Sequence, residues 1–291
     1  LGDVYKRQVS DTSLVRKFHE LDVFASGPRS GNPLAVVHDA GRLSDQAMQE
    51  FARWTNFSET TFLLPPTDPD ADYRVRIFTP ASELPFAGHP TVGSATAWLA
   101  AGGMPQQEDR VVQECGVGLV ELRQAGETIA FAAPPLIRSG PLSAEESAQI
   151  VEVLQLDPDD VVDSAWVDNG PNWRGVRLRS AEAVLAVTAP SGVHDGFHVG
   201  LVGPHPAGEC AIEVRAFFND STGAVREDPV TGSLNASLAQ WLLGEGVVSA
   251  PYVAAQGSCL GRAGRVYVDV EGDEIWIGGR APIVVDGTVT L

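Results

Sequence analysis

The chain of 291 residues contains an internal repeat at a fixed offset of 139 in the numbering. When residues 75–94 are laid over residues 214–233 without a gap, seven of the twenty positions are identical. Average composition gives about one or two such matches by chance. Both segments continue into an apolar stretch that contains a tryptophan, Trp98 and Trp241. The repeat therefore predicts two similar lobes, each with a strand, a loop and a helix, and a cleft between them as the natural pocket.

The rest of the sequence is dominated by short apolar runs that alternate with turn residues, which is typical of strands. Few helices are indicated. One is predicted after the capping residue Ser44, and one follows the capping box of Ser143 and Glu146,. Two more belong to the repeats and begin at Gly93 and near Ser233. This mixture predicts an α+β fold and not a regular βαβ alternation.

The charge of the chain restricts its partners. Lysine and arginine total 20 against 38 aspartate and glutamate residues, which gives a formal net charge of -18. Such a surface repels phosphate backbones and anionic lipids, so we expect no nucleic acid partner and no membrane partner. The three cysteines, Cys115, Cys210 and Cys259, are far apart and show neither a CxxC motif nor zinc spacing,. A reduced, cytoplasmic protein is expected.

No cofactor and no metal is expected. Only two lysines occur, Lys6 and Lys17, and both precede any recognisable chemistry, so a pyridoxal phosphate enzyme, which needs a pocket lysine, is disfavoured,. The sequence has neither a GxGxxG loop after a strand nor a GxxxxGK[ST] loop, and it has no HExxH or GxSxG motif,. His194 and His198 have helical ligand spacing, but two glycines interrupt the segment and predict a loop instead of a metal site,.

The repeats also indicate an anion site. A glycine followed by a serine stands at each predicted helix start, at residues 93–94 and 232–233. Such starts leave backbone N–H groups free at the positive end of the helix dipole, which suits a carboxylate ligand. At the offset of 139, His89 of the first repeat stands where the second has Asp228. The repeat thus predicts that two different polar groups face one site.

Four motifs stand out along the chain. They are GNPLAVV at residues 31–37, NFSET at 56–60, ELPFAGHPTVG at 83–93 and EDPVTGS at 227–233. Together they resemble the PhzF family of phenazine-biosynthesis-like isomerases, and the resemblance runs from about Val15 to the C-terminus. That family is similar to diaminopimelate epimerase in fold, which implies two pseudo-symmetric lobes, each a mixed sheet wrapped around a central helix. The resemblance also implies a homodimer.

The resemblance implies site residues of two kinds. It identifies Glu59 as the general acid/base, and His89 and Asp228 as residues that hydrogen-bond to the substrate or relay protons to it. Glu59 also stands at the head of an apolar strand, where a carboxylate can be partly desolvated, although this placement alone is typical of an exposed glutamate,. Gly88, Gly232 and Ser233 are expected to contact a substrate carboxylate, because missing or small side chains let it approach backbone N–H groups,.

The activity implied is that of a cofactor-independent isomerase, which transfers a proton between carbons of a small cyclic or unsaturated carboxylate. An alternative from another class is a non-catalytic member of the same fold that binds metabolites or protein partners. The presence of all three catalytic residues together with Ser233 favours the enzyme. A two-cysteine epimerase is disfavoured, because Cys115 and Cys259 lie outside the Gly-His-Pro and Asp-Pro-Val-Thr-Gly-Ser motifs.

The sequence also suggests where the two lobes divide. The N-terminal lobe is predicted to comprise residues 9–126 and about 282–291, and the C-terminal lobe residues 127–281. Residues 1–8 match nothing that follows in pattern and are expected to be extraneous or disordered. The substrate cleft is expected between the lobes, with the two helix starts facing it.

Overall fold

The computed structural model describes residues 14–192, 194, 196–220 and 222–291. Residues 1–8, predicted to be extraneous, lie outside this described part. The described residues form 18 strands, which are β1 (Val15–Val23), β2 (Asn32–Val37), β3 (Glu59–Leu64), β4 (Tyr73–Phe78), β5 (Glu83–Leu84), β6 (Arg110–Cys115), β7 (Gly118–Ala125), β8 (Thr128–Ala132), β9 (Arg138–Pro141), β10 (Val161–Asp168), β11 (Arg174–Leu178), β12 (Val199–Pro204), β13 (Ile212–Asn219), β14 (Val225–Asp228), β15 (Tyr252–Gln256), β16 (Gly264–Glu271), β17 (Glu274–Arg280) and β18 (Ile283–Thr290). The α-helices in the same residues are α1 (Asp45–Thr55), α2 (Gly88–Ala100), α3 (Ala144–Leu154), α4 (Ala181–Ala186) and α5 (Gly232–Gly244).

The strands follow the same pattern of pairing twice. In the first lobe they lie in the order β18, β1, β2, β3, β4, β6, β7, β8, and in the second in the order β9, β10, β11, β12, β13, β15, β16, β17. Two pairings in each lobe are parallel, β2–β3 and β4–β6 in the first and β11–β12 and β13–β15 in the second. The antiparallel pair β8–β17 joins the lobes. The predicted α+β fold with two pseudo-symmetric lobes is therefore confirmed.

Each sheet wraps around one central helix, α2 in the first lobe and α5 in the second. Neither helix contains aspartate, glutamate, lysine or arginine, and most of the residues of each are buried. A helix that is small or apolar on all sides has to be enclosed, and one continuous core extends through both lobes around these two helices,. Within the described part of the chain, no helix is both long enough and apolar enough to cross a membrane.

The starts of the central helices differ from those of the other helices. Helices α1, α3 and α4 each begin after a serine whose hydroxyl accepts a hydrogen bond from a first-turn N–H group, namely Ser44, Ser143 and Ser180. The residues before α2 and α5 make no such side-chain bond. A serine cap normally stabilises a helix by about 1 kcal/mol. Since both central helices lack such a cap, their first N–H groups are free for another partner,.

The repeat holds in the structure, but its offset changes within the hairpin that precedes each central helix. In both lobes an arginine on the longer strand binds both carboxylate oxygens of a glutamate on the shorter one. These pairs are Arg76 with Glu83 and Arg215 with Glu227, at 2.6–2.9 Å. The arginines are related by the offset of 139, but the glutamates are related by an offset of 144. The second hairpin is therefore longer by five positions, and the offset after it is 144.

This insertion corrects two predictions. The ungapped alignment sets His89 opposite Asp228, but at the offset of 144 the counterpart of His89 is Ser233. Helix α2 begins at Gly88 and not at Gly93, which lies inside the helix. The two helix starts are nevertheless equivalent, because Gly88 and Gly232 are also related by the offset of 144 and both helices have 13 residues.

The first and last described strands lie side by side. β18 pairs antiparallel with β1 along its length, so the chain returns to the first lobe after completing the second. β8 pairs with β7 on one side and with β17 on the other. The division into residues 9–126 with about 282–291 and residues 127–281 stays a prediction.

Candidate active site

Glu59 and His89 form the first part of the site. Glu59 is the first residue of β3, opposite Leu34 of β2 in a parallel pair, and His89 is the second residue of α2. His89 Nδ1 lies 2.9 Å from Glu59 Oε2. The imidazole is buried, whereas 18% of the Glu59 side chain is exposed. The carboxylate therefore contacts the histidine with one oxygen and stays partly accessible.

The backbone carbonyl of Asn32 determines where a proton can reside on His89. His89 Nε2 lies 3.0 Å from this carbonyl oxygen, which can only accept a hydrogen bond, so Nε2 carries a hydrogen,. The bond between Nδ1 and Glu59 then needs one further proton, either on Nδ1 beside a carboxylate or on the carboxyl group beside a neutral imidazole,. Glu59 and His89 thus share a single transferable proton.

The surroundings of His89 favour its protonated form. Burial alone would lower the pKa of this imidazole. The hydrogen bond and negative charge of Glu59, with smaller contributions from Asp228 and the Asn32 carbonyl, outweigh burial and raise the pKa above its usual value,. His89 therefore holds its proton more strongly than an isolated histidine does.

Asp228, at the end of β14, contributes to the site from the second lobe. Its Oδ1 accepts a hydrogen bond from Asn32 Nδ2 at 3.1 Å, and its Oδ2 accepts one from Thr231 Oγ1 at 2.5 Å. Burial and the negative charge of Glu59 raise the pKa of Asp228 to about 6, against the opposing effect of these bonds,. Asn32 links the lobes here, because its carbonyl holds His89 and its amide holds Asp228.

Ionised Asp228 is expected to destabilise the fold at neutral pH. Its folded pKa of about 6 exceeds the ordinary value of 3.8, so the unfolded chain gives up this proton first, and stability falls as the pH rises between these values,. The full loss is on the order of 2–3 kcal/mol. We expect Asp228→Asn to raise the melting temperature clearly at about pH 7.5 and much less at about pH 4, as measured by calorimetry.

The matched control for this measurement is Asp273→Asn, at an exposed position in the turn between β16 and β17. This variant should change the melting temperature little at either pH. An equal stabilisation by Asp228→Asn at both pH values would contradict an origin in the ionisation of the carboxyl group.

The starts of α2 and α5 meet beside these side chains. A Cβ atom on Gly232 would lie 2.9 Å from the backbone nitrogen of His89 and 3.2 Å from backbone atoms of Gly88, so only glycine permits this approach,. At Gly88 the missing side chain leaves room for the ring of Phe131, which a Cβ would meet at 2.3 Å. Neither helix start has a side-chain cap, so the first N–H groups of α2 and α5 lie at positive helix ends of a kind that can bind an anion,.

Sequence reasoning does not reveal three further residues of the site, Asn32, Thr231 and Gln256. Gln256 Oε1 accepts a hydrogen bond from the backbone N–H of Thr231 at 3.0 Å, and its Nε2 donates to Thr231 Oγ1 at 2.9 Å. In the first lobe Gln113 Nε2 likewise donates to a threonine hydroxyl, Thr91 Oγ1 of α2, at 3.0 Å. The two glutamines are related by an offset of 143, and this second repeat is a sequence signal for side chains that fix the helix starts.

The remaining candidates lie outside this site. The described residues of 188–198 form neither helix nor strand, in agreement with the predicted loop, and His198 packs edge-on against Trp173. Cys115 ends β6 and Cys259 lies in a 3-10 helix, so neither thiol is at the start of α2 or α5. Within the described residues, no group of three histidine, cysteine, aspartate or glutamate side chains is arranged to hold a metal ion.

Two lobes of mixed sheet, each wrapped around a central helix, are the proline-racemase-like and diaminopimelate-epimerase-like fold, which this chain shares with its structural neighbours. The match to the PhzC-PhzF family, described as phenazine biosynthesis-like protein, covers residues 21–287. The chain belongs to this family, and it is an isomerase.

Individual relatives agree with this assignment. The chain is 34% identical to trans-2,3-dihydro-3-hydroxyanthranilate isomerase of Pseudomonas aeruginosa, over 89% of this chain and 91% of the relative. It is 33% identical to antisense-enhancing sequence 1 of Schizosaccharomyces pombe, over 93% of this chain and 97% of the relative. A crystal structure of a PhzF family protein from Enterococcus faecalis matches with a TM-score of 0.78 and 24% identity, covering 96% of this chain and 100% of that one.

Proposed function

We propose that this protein is a cofactor-independent isomerase that moves a proton between two carbons of a small cyclic or unsaturated carboxylate, with Glu59 as general acid/base. The observation that carries the proposal is the single proton shared between Glu59 and His89, whose other nitrogen is fixed by the Asn32 carbonyl. A carboxylate that is partly accessible, hydrogen-bonded on one oxygen and next to an imidazole with a raised pKa is suited to accept and return a proton,.

The proposed step needs no second reactant. Glu59 Oε2 is occupied by His89, so Oε1 is the oxygen offered to a substrate carbon. Glu59 takes a proton from one carbon, the electron pair left behind shifts along the unsaturated substrate, and the carboxyl group returns a proton to a second carbon. Substrate and product have the same atoms and the same oxidation state. His89 stabilises the carboxylate form of Glu59 before the first transfer and after the second.

Asp228 is proposed as the second polar group of the reaction, on the opposite lobe. With a pKa of about 6 it is present in both protonation states near neutral pH, so it can donate a hydrogen bond or accept one,. The charges of Asp228 and His89 act on each other across the lobes, because the carboxylate raises the pKa of His89 and the imidazolium opposes the rise in the pKa of Asp228. We assign Asp228 to hydrogen bonding with the substrate or to proton relay.

The substrate class follows from the helix starts. Gly88, Gly232 and Ser233 are proposed to bind the substrate carboxylate through free N–H groups at the positive ends of α2 and α5,. The relative from Pseudomonas aeruginosa is named for a dihydro-hydroxyanthranilate, which is a cyclic, unsaturated carboxylate of this kind. The homodimer and the cytoplasmic location belong to the same proposal and stay predictions.

Isomerisation in deuterated water tests the proposed function. The purified protein, in buffer with a metal chelator, is incubated with trans-2,3-dihydro-3-hydroxyanthranilate and with other cyclic unsaturated carboxylates, and proton NMR follows each compound. We expect at least one of them to change the position of a double bond and to gain deuterium at a ring carbon, in the presence of chelator. If every compound keeps its structure and its protons although a cyclic carboxylate binds, the alternative of a metabolite-binding protein is favoured.

A further inference from the structure

The hydroxyl group of Ser233 is held by a partner that can only donate. Trp173 Nε1 lies 3.0 Å from Ser233 Oγ, and an indole N–H has no acceptor capacity, so Ser233 must accept this hydrogen bond,. Asn169 Nδ2 donates to the Ser233 backbone carbonyl at 2.9 Å and fixes the same residue from a second side. Within the described residues, the Ser233 hydroxyl makes no hydrogen bond in which it donates. Its single proton is therefore free for a ligand.

The loop that carries Trp173 is built to be rigid. It connects β10 to β11, and at its base the carboxylate of Asp168 accepts hydrogen bonds from the N–H groups of Gly170 and Asn172, at 2.8 and 2.7 Å. The backbone N–H of Val167 donates to the carbonyl of Trp173 at 3.0 Å and closes the loop. Trp173 is only 3% exposed. The indole therefore reaches Ser233 from a fixed position.

The first lobe contains the same device. The loop between β1 and β2 is organised by Asp22, whose carboxylate accepts hydrogen bonds from the N–H groups of Ser30 and Gly31 at 2.7 and 2.9 Å. This loop presents the carbonyl of Asn32 to His89. His89 and Ser233 are counterparts at the offset of 144, each the second residue of its central helix. In both lobes a hairpin loop with a buried aspartate thus holds the second helix residue at the site.

The symmetry of the two lobes suggests a role for the contact between Trp173 and Ser233 in the second lobe. In the first lobe the Asn32 carbonyl fixes which nitrogen of His89 carries a proton,. We propose that Trp173 is the corresponding positioning residue of the second lobe. Its indole N–H occupies one lone pair of Ser233 Oγ and turns the hydroxyl proton toward an acceptor on the ligand, the substrate carboxylate. This inference rests on the proposed function for the identity of the ligand, and on the contacts of Trp173 for the mechanism.

A double-mutant cycle tests whether Trp173 acts through Ser233. The variants are Trp173→Phe, which keeps an aromatic ring but removes the N–H group, Ser233→Ala, and both together. The matched control is Trp241→Phe, which removes the indole bond from Trp241 Nε1 to Glu245 Oε1 at the opposite end of α5. Binding of benzoate, a simple cyclic carboxylate, is measured by calorimetry, and KM and kcat are measured with any compound that the wild type isomerises.

We expect Trp173→Phe to weaken benzoate binding and to raise KM about fivefold, with kcat changed less than about twofold, because one neutral hydrogen bond is lost from substrate positioning. In the Ser233→Ala background the same change should have no further effect, because the hydroxyl it orients is gone. Trp241→Phe should bind benzoate as the wild type does.

Three results would overturn the proposal. The first is wild-type binding and KM in Trp173→Phe. The second is additive effects of Trp173→Phe and Ser233→Ala, which would mean that the indole acts on the pocket without Ser233. The third is that the wild-type protein does not bind benzoate and that Ser233→Ala has the same KM as the wild type. If binding follows the expected cycle but no carboxylate is isomerised, the proposed function fails and the role of Trp173 stands.

A spectroscopic measurement covers the case in which Trp173→Phe does not fold. The indole N–H signals of ¹⁵N-labelled wild type and Ser233→Ala are compared with and without benzoate. Loss of the Ser233 oxygen should shift one indole signal, and benzoate should shift the same signal in the wild type. If benzoate leaves that signal in place, Trp173 is not coupled to the ligand and the proposal is wrong.

Discussion

Glu59→Gln is expected to lower kcat for isomerisation by at least about 10²-fold, the usual contribution of a general base. Glutamine has nearly the same shape as glutamate, but its amide cannot take up a proton from carbon. The amide N–H can still donate to His89 Nδ1, so the hydrogen bond of His89 to the Asn32 carbonyl is preserved,. Turnover should therefore disappear without loss of the fold. The measurement is the rate of deuterium entry into the product, with the melting temperature as a check of folding.

Glu121→Gln provides the matched control for this variant. Glu121 lies on β7 in the same lobe and pairs with Arg110 at 2.7 Å on the surface, so it loses the same charge outside the site. It should retain wild-type turnover. If deuterium still enters the product at the wild-type rate in Glu59→Gln, then Glu59 is not the base and the proposed mechanism falls.

Gly232→Ala is the second variant with a large expected effect. The added methyl group would meet backbone atoms of Gly88 and His89 at 2.9–3.2 Å, and backbone cannot rotate away as a side chain could. The helix starts must move apart, at a cost of about 1–3 kcal/mol in the free energy of unfolding. A displacement of about 1 Å at a reacting group can cost about 10²-fold in rate. We therefore expect kcat/KM to fall by more than tenfold, together with a lower melting temperature.

The same substitution at the other end of the helix separates this effect from helix propensity. Gly244 is the last residue of α5, and a Cβ there would have no neighbour within 4 Å. Gly244→Ala should leave turnover unchanged and leave stability equal or slightly higher, because alanine favours helix. If Gly232→Ala is as active and as stable as Gly244→Ala, the close contact between the helix starts has no functional importance.

The fold was accessible from the sequence because both of its determinants are local patterns. Period-two apolar runs predict the strands, and the repeated strand, loop and helix predict the two lobes. The errors arise where local signals conflict. Gly88, His89 and Pro90 have the composition of a turn, but proline in the first turn of a helix has no N–H bond to lose, so α2 begins there and not at Gly93,. The insertion of five positions before α5 is missed for another reason. At the offset of 139, proline, glycine and serine residues after the insertion are identical by chance, so the two segments align without a gap.

The residues of the site also fall into those that the sequence can reveal and those that it cannot. Glu59, His89 and Asp228 stand in short motifs, so a family resemblance can identify them. Asn32 and Trp173 cannot be identified in this way, because each acts on a residue that is distant in sequence. Asn32 contacts His89 through its backbone carbonyl, and Trp173 contacts Ser233 from the loop between β10 and β11. A backbone carbonyl leaves no trace in residue type. Only the three-dimensional positions of the loops reveal these contacts.

The pairing of β18 with β1 has a consequence for biosynthesis. β1 is among the first described residues to leave the ribosome, but one of its two neighbours, β18, is the last of the described strands to be made. All strands of the second lobe, β9 to β17, are available before β18 is translated. The lobe that is begun first is therefore completed last, and until then β1 presents an open sheet edge to other nascent chains. Chaperones that bind exposed strands should find their target in the N-terminal half of the emerging polypeptide.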